Sequence, residues 1–256
     1  MKRIDIINKN SSYIYTCVNG ILINIECLRG NVRTAQTVAL LLERDINEVC
    51  EYRILVLNVR NSEERISVTF NDSTLDWCNW GTVAELRSGE LVAKTSAMRT
   101  VIVWKMGEQI TRQLSIPVED YYLCSLSVLE NVLGKEELIA LAFYSNKSIG
   151  LFEIEQNKLV LVRIIQLEFG PFWMLWIASK QTLLVSDWNG NKKELFALRL
   201  TDNAAFPDNV TLEGCTKIYV RSWCVLRDHA GNEKILMVFD YYTDSIMKFE
   251  LDESTN

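Results

Sequence analysis

Any catalytic reading of this 256-residue sequence has to begin with its one histidine, His229, because imidazole is the side chain most often used for proton transfer near neutral pH. His229 lies in the polar run Arg227 to Glu233, whose residue types favour a turn. One histidine also leaves no histidine-cluster metal site and no second imidazole for a nucleophile scheme. The seven cysteines, at 17, 27, 50, 78, 124, 215 and 224, mostly alternate with apolar residues and form no CxxC pair. They read as buried thiols, and their odd number fits a reducing compartment, nucleus or cytoplasm, better than a disulfide framework. Asp76-Trp77 and Asp187-Trp188 resemble carboxylate–aromatic site pairs, and Asp240 with Asp244 in FDYYTDS suggests calcium. No regular acidic spacing follows, so a structural role in hairpins is the expectation for all four. GxGxxG, GxxxxGKS and GxSxG are absent, so the sequence carries no cofactor or phosphate signature. Phe169, Phe172, Trp173 and Trp176 in EFGPFWMLWIAS would make both faces of a strand apolar, as a sheet stacked between two others requires. The expectation is a protein without catalytic residues, cofactor or bound metal.

The elements that would position these residues are strands. LVAKTSAMRTVIVW (Leu91 to Trp104) reads as two strands around a small polar turn, the second β-branched and aromatic. A lone hairpin is marginal in water and needs neighbours. Similar units begin at positions 13, 53, 91, 137, 182 and 234, with turns expected at Asn19-Gly20, Arg60 to Glu64, Ser96 to Arg99, Ser145 to Lys147, Asn189 to Asn191 and Tyr242 to Asp244. Val38 to Leu42 reads as a buried strand followed by a charged stretch, Glu43 to Glu51. Further strands are expected at Gly81 to Leu86, Leu123 to Leu129, Lys158 to Leu167, Phe172 to Ala178 and Ile218 to Leu226. Short, alternating, β-branched runs at this period predict an all-β fold, a WD-like β-propeller with about six four-stranded blades. No linker-like run divides the chain, so residues 1–256 are expected to form one domain. The first unit begins close to the N-terminus, so the ring either closes as a small one or stays open with a partner covering the gap.

Composition narrows the partners. The chain is 48% hydrophobic with three prolines and 11 glycines, the composition of a folded domain rather than of disorder. With 27 basic against 33 acidic residues its net charge is −6, which argues against holding nucleic acid alone through a basic face. The start, MKRIDIINKNSS, lacks the apolar core of a signal peptide, and the apolar runs are too short to span a bilayer, so no membrane role is expected.

The order of features from about Arg53 onward resembles the WD-repeat, non-catalytic subunit of the tRNA guanine-N7 methyltransferase. The residues that carry the resemblance are NSEERISV (Asn61 to Val68), WCNW (Trp77 to Trp80), LVAKTSAMRTVIVW, LIALAFYSNKSIGLFEIE, FGPFWMLWIA and IYVRSWCVLRD. The sequence departs from the family in lacking the histidine of its CLGH segment, about one blade at the start, and its basic tail, where this chain has ELDESTN. The resemblance implies a scaffold that binds the methyltransferase catalytic subunit and meets tRNA mainly through that partner, with no small-molecule substrate. It further implies a partner-binding hairpin in which Glu64 supplies the acidic contact. The basic position falls on Ser67, with Arg65 and Arg60 as nearby substitutes and Glu63 beside them. A solvated turn is the alternative for these residues. Two other classes stay open: an interaction propeller of another complex, in DNA repair or ubiquitin ligation, and a calcium-dependent six-bladed hydrolase.

Overall fold

The hairpin ending in Trp104 forms as its residue types predict, and similar hairpins recur along the chain. A computed structural model describes residues 4–8, 11–15, 21–27, 37–46, 49–58, 63–72, 81–95, 99–105, 112–118, 123–187, 195–200, 207–210, 220–228, 230, 232–240 and 245–251; strands before Gly81 are described by their backbone pairing. Two strands come first, β1 (Ile4–Asn8) and β2 (Ser11–Tyr15), paired only with each other among the described residues. Four antiparallel four-stranded sheets follow, each a meander in chain order. The first holds β3 (Ile21–Cys27), β4 (Thr37–Ile46), β5 (Val49–Asn58) and β6 (Glu63–Asp72). The second holds β7 (Gly81–Glu85), β8 (Glu90–Thr95), β9 (Thr100–Lys105) and β10 (Arg112–Ser115). The third holds β11 (Leu123–Val132), β12 (Lys135–Phe143), β13 (Ser148–Glu155) and β14 (Lys158–Gln166). The fourth holds β15 (Pro171–Ile177), β16 (Thr182–Asp187), β17 (Leu195–Arg199) and β18 (Pro207–Val210). A last sheet has three strands, β19 (Val220–Arg227), β20 (Glu233–Asp240) and β21 (Ser245–Glu250).

The first strand of each sheet lies innermost. β3 packs against β7, β7 against β11, β11 against β15, β15 against β19, and β19 back against β3. The sheets are thus blades around a common axis, the architecture of a β-propeller. Four of the five inner strands carry an extra residue near their start, where the ladder slips between Leu22 and Asn24, Leu123 and Leu126, Pro171 and Met174, and Val220 and Ser222. Such bulges raise the local twist and bend the strand. Their repetition at one position marks the blades as copies of one unit more clearly than the residues do.

Apolar residues on both faces of a blade go to opposite neighbours. In the third sheet Leu141, Phe143 and Phe152 join Val92, Val103 and Leu114 of the second, whereas Ala142, Ile149 and Leu151 join Trp176, Leu183 and Val185 of the fourth. Trp173, Leu184, Trp223 and Val238 share a further cluster with Trp104, which is fully buried. Burying each large side chain contributes roughly 1.5–3 kcal/mol. The aromatic run Phe172 to Trp176 is therefore interior. Inner strands are also joined by hydroxyls: Thr82 Oγ1 accepts from Leu126 N at 2.8 Å, and Ser125 Oγ from Met174 N at 3.0 Å.

Three expectations are corrected. Tyr13 to Cys27 is no hairpin, because β2 pairs with β1 and β3 with β4, whose longer apolar ladder offers more pairing; Asn19-Gly20 lies outside the described residues. Within the charged stretch, Glu43 to Ile46 extend β4 and Val49 to Glu51 open β5, in a register that sets Arg44 opposite Glu51, a favourable cross-strand pairing of types. Glu63 and Glu64 open strand β6 instead of lying in a turn. Among the described residues no helix is long and apolar enough to cross a membrane.

Candidate partner-binding site

Four of the partner-binding residues expected from the sequence, Glu63, Glu64, Arg65 and Ser67, lie on β6, the outermost strand of the first four-stranded sheet. Glu63 is opposite Asn58, Glu64 opposite Leu57 and Arg65 opposite Val56. The ladder then slips, with Ile66 opposite Leu55 and Val68 opposite Ile54, so Ser67 is the extra residue of a bulge. A bulge on an edge strand re-aims the chain, which suits a recognition edge, and the ladder then resumes from Val68 opposite Ile54 to Asp72 opposite Cys50. The structure thus brings Glu63, Glu64, Arg65 and Ser67 onto one short strand segment, while Arg60 lies outside the described residues. What the sequence concealed was the strand itself, since a charged run at a strand start has the composition of a turn.

Several polar residues also stand at the level where the inner strands begin. Asp187 ends β16 opposite Pro171, and Asp240 ends β20 opposite Val220, so the two aspartates occupy equivalent positions in neighbouring sheets. Tyr144 follows β12 at the same level and meets Phe172 edge-on, with ring centroids 6.5 Å apart. Burial first, and then the nearby Asp187 and Cys124, raise its phenol above the ordinary tyrosine range, so the ring stays neutral. Lys94 is buried in the adjoining sheet and donates from Nζ to the Leu123 carbonyl at 3.3 Å. The sequence singled out Asp187 and Asp240 but gave no signal for Tyr144 or Lys94, which only the stacking of sheets brings to this level. No group of three or more histidine, cysteine or acidic side chains converges on a possible metal position among the described residues. Asp76, Trp77, Trp188 and Asp244 lie outside them.

His229 also lies outside, but the residues around it form the expected turn. Asp228 accepts at Oδ1 from Ala230 N at 2.8 Å and Asn232 N at 2.9 Å, and hydrogen bonds led by the Asn232 side chain lower its pKa. Next to this turn, buried Glu233 joins two blades. Its Oε2 accepts from Ser179 N at 2.9 Å and Ser179 Oγ at 2.8 Å, and its Oε1 pairs with Arg227 Nη2 at 2.9 Å. Cys124 and Cys224 are buried, as expected of core thiols.

No family model matches the sequence, and no curated protein matches it. Solved structures do match in shape. The major allergen Mala s 1 of Malassezia sympodialis is 8% identical, with 96% of this chain and 84% of the allergen covered and a TM-score of 0.62. A chain of the mitotic checkpoint complex is 10% identical over 93% of this chain and 80% of its own, with a TM-score of 0.57. The PQQ-bound aldose sugar dehydrogenase of Streptomyces coelicolor is 12% identical over 93% and 82%, with a TM-score of 0.53. At such identities the likeness is one of fold, and the fold is an all-β propeller.

Proposed function

We propose that the protein is a non-catalytic propeller scaffold for protein partners, and specifically the subunit that holds a tRNA guanine-N7 methyltransferase. The observation that carries this reading is the charged segment Glu63 to Ser67 on an outermost strand, bulged at Ser67. A rigid stack of blades fixes such an edge in space, and recognition is concentrated at edges and loops positioned in this way. In this reading Glu64 makes the acidic contact to the catalytic subunit, and Arg65 and Arg60 the basic ones. The net charge of −6 leaves phosphate binding to the partner. Affinity purification of the full chain from cells that make it should recover a methyltransferase, and deletion should lower N7-methylguanosine in tRNA. Unchanged tRNA methylation sinks the assignment. Recovery of repair or ubiquitin-ligase subunits in its place would move the same scaffold to another complex.

One observation favours a second reading. Asp187 and Asp240 at equivalent ends of neighbouring blades would suit a calcium-dependent hydrolase at the mouth of the ring. Calcium then raises Tm, because a ligand that binds only the folded state stabilises it. An unchanged Tm in millimolar calcium excludes this reading.

A further inference from the structure

We infer that the joint between the fourth sheet and the three-stranded sheet is the seam at which the ring opens first, and that Glu233 is the latch that holds it shut. The inference begins with the hydroxyl ties between inner strands. Thr82 Oγ1 ties the second sheet to Leu126 N of the third, and Ser125 Oγ ties the third to Met174 N of the fourth. Leu126 and Met174 are equivalent by register, because their partners stand two positions before those of Leu123 and Pro171, Leu141 before Phe143 and Val185 before Asp187. The same count in the last sheet leads to Trp223, whose partner Val238 stands two positions before Asp240, the partner of Val220. By this alignment the acceptor for Trp223 N would come from Trp173, which holds in the fourth sheet the place of Ser125 in the third. An indole donates and does not accept, so the tie cannot repeat here. The amide of Trp173 is itself bound within its own sheet, donating to Ser186 Oγ at 3.0 Å.

The same joint is also the least extensive. Of the five neighbouring pairs of inner strands, β15 and β19 touch over the least of their length. β8 reaches across to β11 and β12 to β15, whereas β16 has little such contact with β19. The joint is filled by apolar and aromatic groups, among them Leu184 on one side and Trp223 and Val238 on the other. Trp223 Nε1 is buried without an acceptor among the described residues. Water reaches that donor when the joint opens, which lowers the cost of opening here relative to a joint with every polar group paired. A carboxylate spans the joint where the hydroxyl tie does not. Glu233 at the start of β20 accepts from the amide and hydroxyl of Ser179, in the turn between β15 and β16, and Arg227 of its own sheet holds it in place. Local opening of a folded protein begins where such ties are fewest.

The test uses two neighbouring buried residues of β16 that face opposite joints. Leu184 shares the cluster of Trp223 and Val238, whereas Val185 shares that of Ala142 and Leu151 in the third sheet. Leu184→Cys and Val185→Cys are made separately in the full chain, and thiol labelling in native buffer is followed by peptide mass mapping. Position 184 should label about tenfold or more faster than position 185, because it is exposed by the seam alone. Glu233→Ala should speed labelling at 184 by about tenfold, and Ser179→Ala, a milder change that keeps the carboxylate, by about threefold. Ser125→Ala should speed labelling at 185 and leave 184 within about twofold, since the tie between the third and fourth sheets stays closed while the seam opens. Equal rates at 184 and 185 overturn the inference. So does a Ser125→Ala variant that speeds both positions alike, because exposure then requires the whole ring to unfold. Labelling at 184 that responds to neither Glu233→Ala nor Ser179→Ala overturns the assignment of Glu233 as the latch.

Discussion

Glu233 shows how much one buried carboxylate can decide. Burial alone would push its pKa up, yet the hydrogen bonds from Ser179 and the ion pair with Arg227 outweigh burial and hold it below the ordinary glutamate value. Its contribution to stability is therefore complete above about pH 4.3, the unfolded value, and is lost as pH falls through the lower folded value. Glu233→Ala leaves Arg227 and the Ser179 donors without their acceptor, and chemical denaturation should show a loss of about 2–4 kcal/mol at pH 7. Glu233→Gln should flatten the acid limb of the stability curve below about pH 4.3. Gly150 is limited by packing, because a Cβ there would stand 2.6 Å from both Phe143 Cε2 and Phe152 Cε2. Gly150→Ala should cost about 1–3 kcal/mol, measured as a shift of the urea midpoint. Neither effect was visible in the sequence. Glu233 sits in a polar run that reads as solvated, and its acceptor role depends on Ser179, which arrives from another blade.

At the level of strands, β6 and β14 are both outermost and differ in character. Substituting Glu64→Arg should reduce recovery of the partner at least tenfold while leaving Tm within about 1 °C, because it exchanges one charged residue for another on an outermost strand. Unchanged recovery removes Glu64 from the interface. β14 carries Val160, Leu161, Val162 and Ile164, the exposed large hydrophobics among the described residues. Val160→Lys with Ile164→Lys should keep Tm and lower the rate of aggregation on heating, read by light scattering. The strand series was largely legible because β-branched runs bounded by polar turns are local signals. LVAKTSAMRTVIVW, KLVLVRIIQL and the strand at Leu123 all formed where periodicity put them. The first sheet was read poorly for the opposite reason. Its long strands carry charge at their ends, as at Arg44, Glu51 and Glu63, and composition cannot separate a charged strand end from a turn.

Across the whole molecule, blades are read from hairpins but the ring is made by inner strands, and contacts between those strands are distant in sequence. Leu126 N and Met174 N donate to hydroxyls of the preceding blade, from Thr82 and Ser125 respectively. Their hydrogen bonds break when two blades part, even if every sheet stays intact. These two amides are therefore built-in reporters of blade separation. If blades part before they unravel, both should exchange hydrogen with solvent faster than their strand neighbours, and Ser125→Ala should speed exchange at Met174 without a matching change at Leu126.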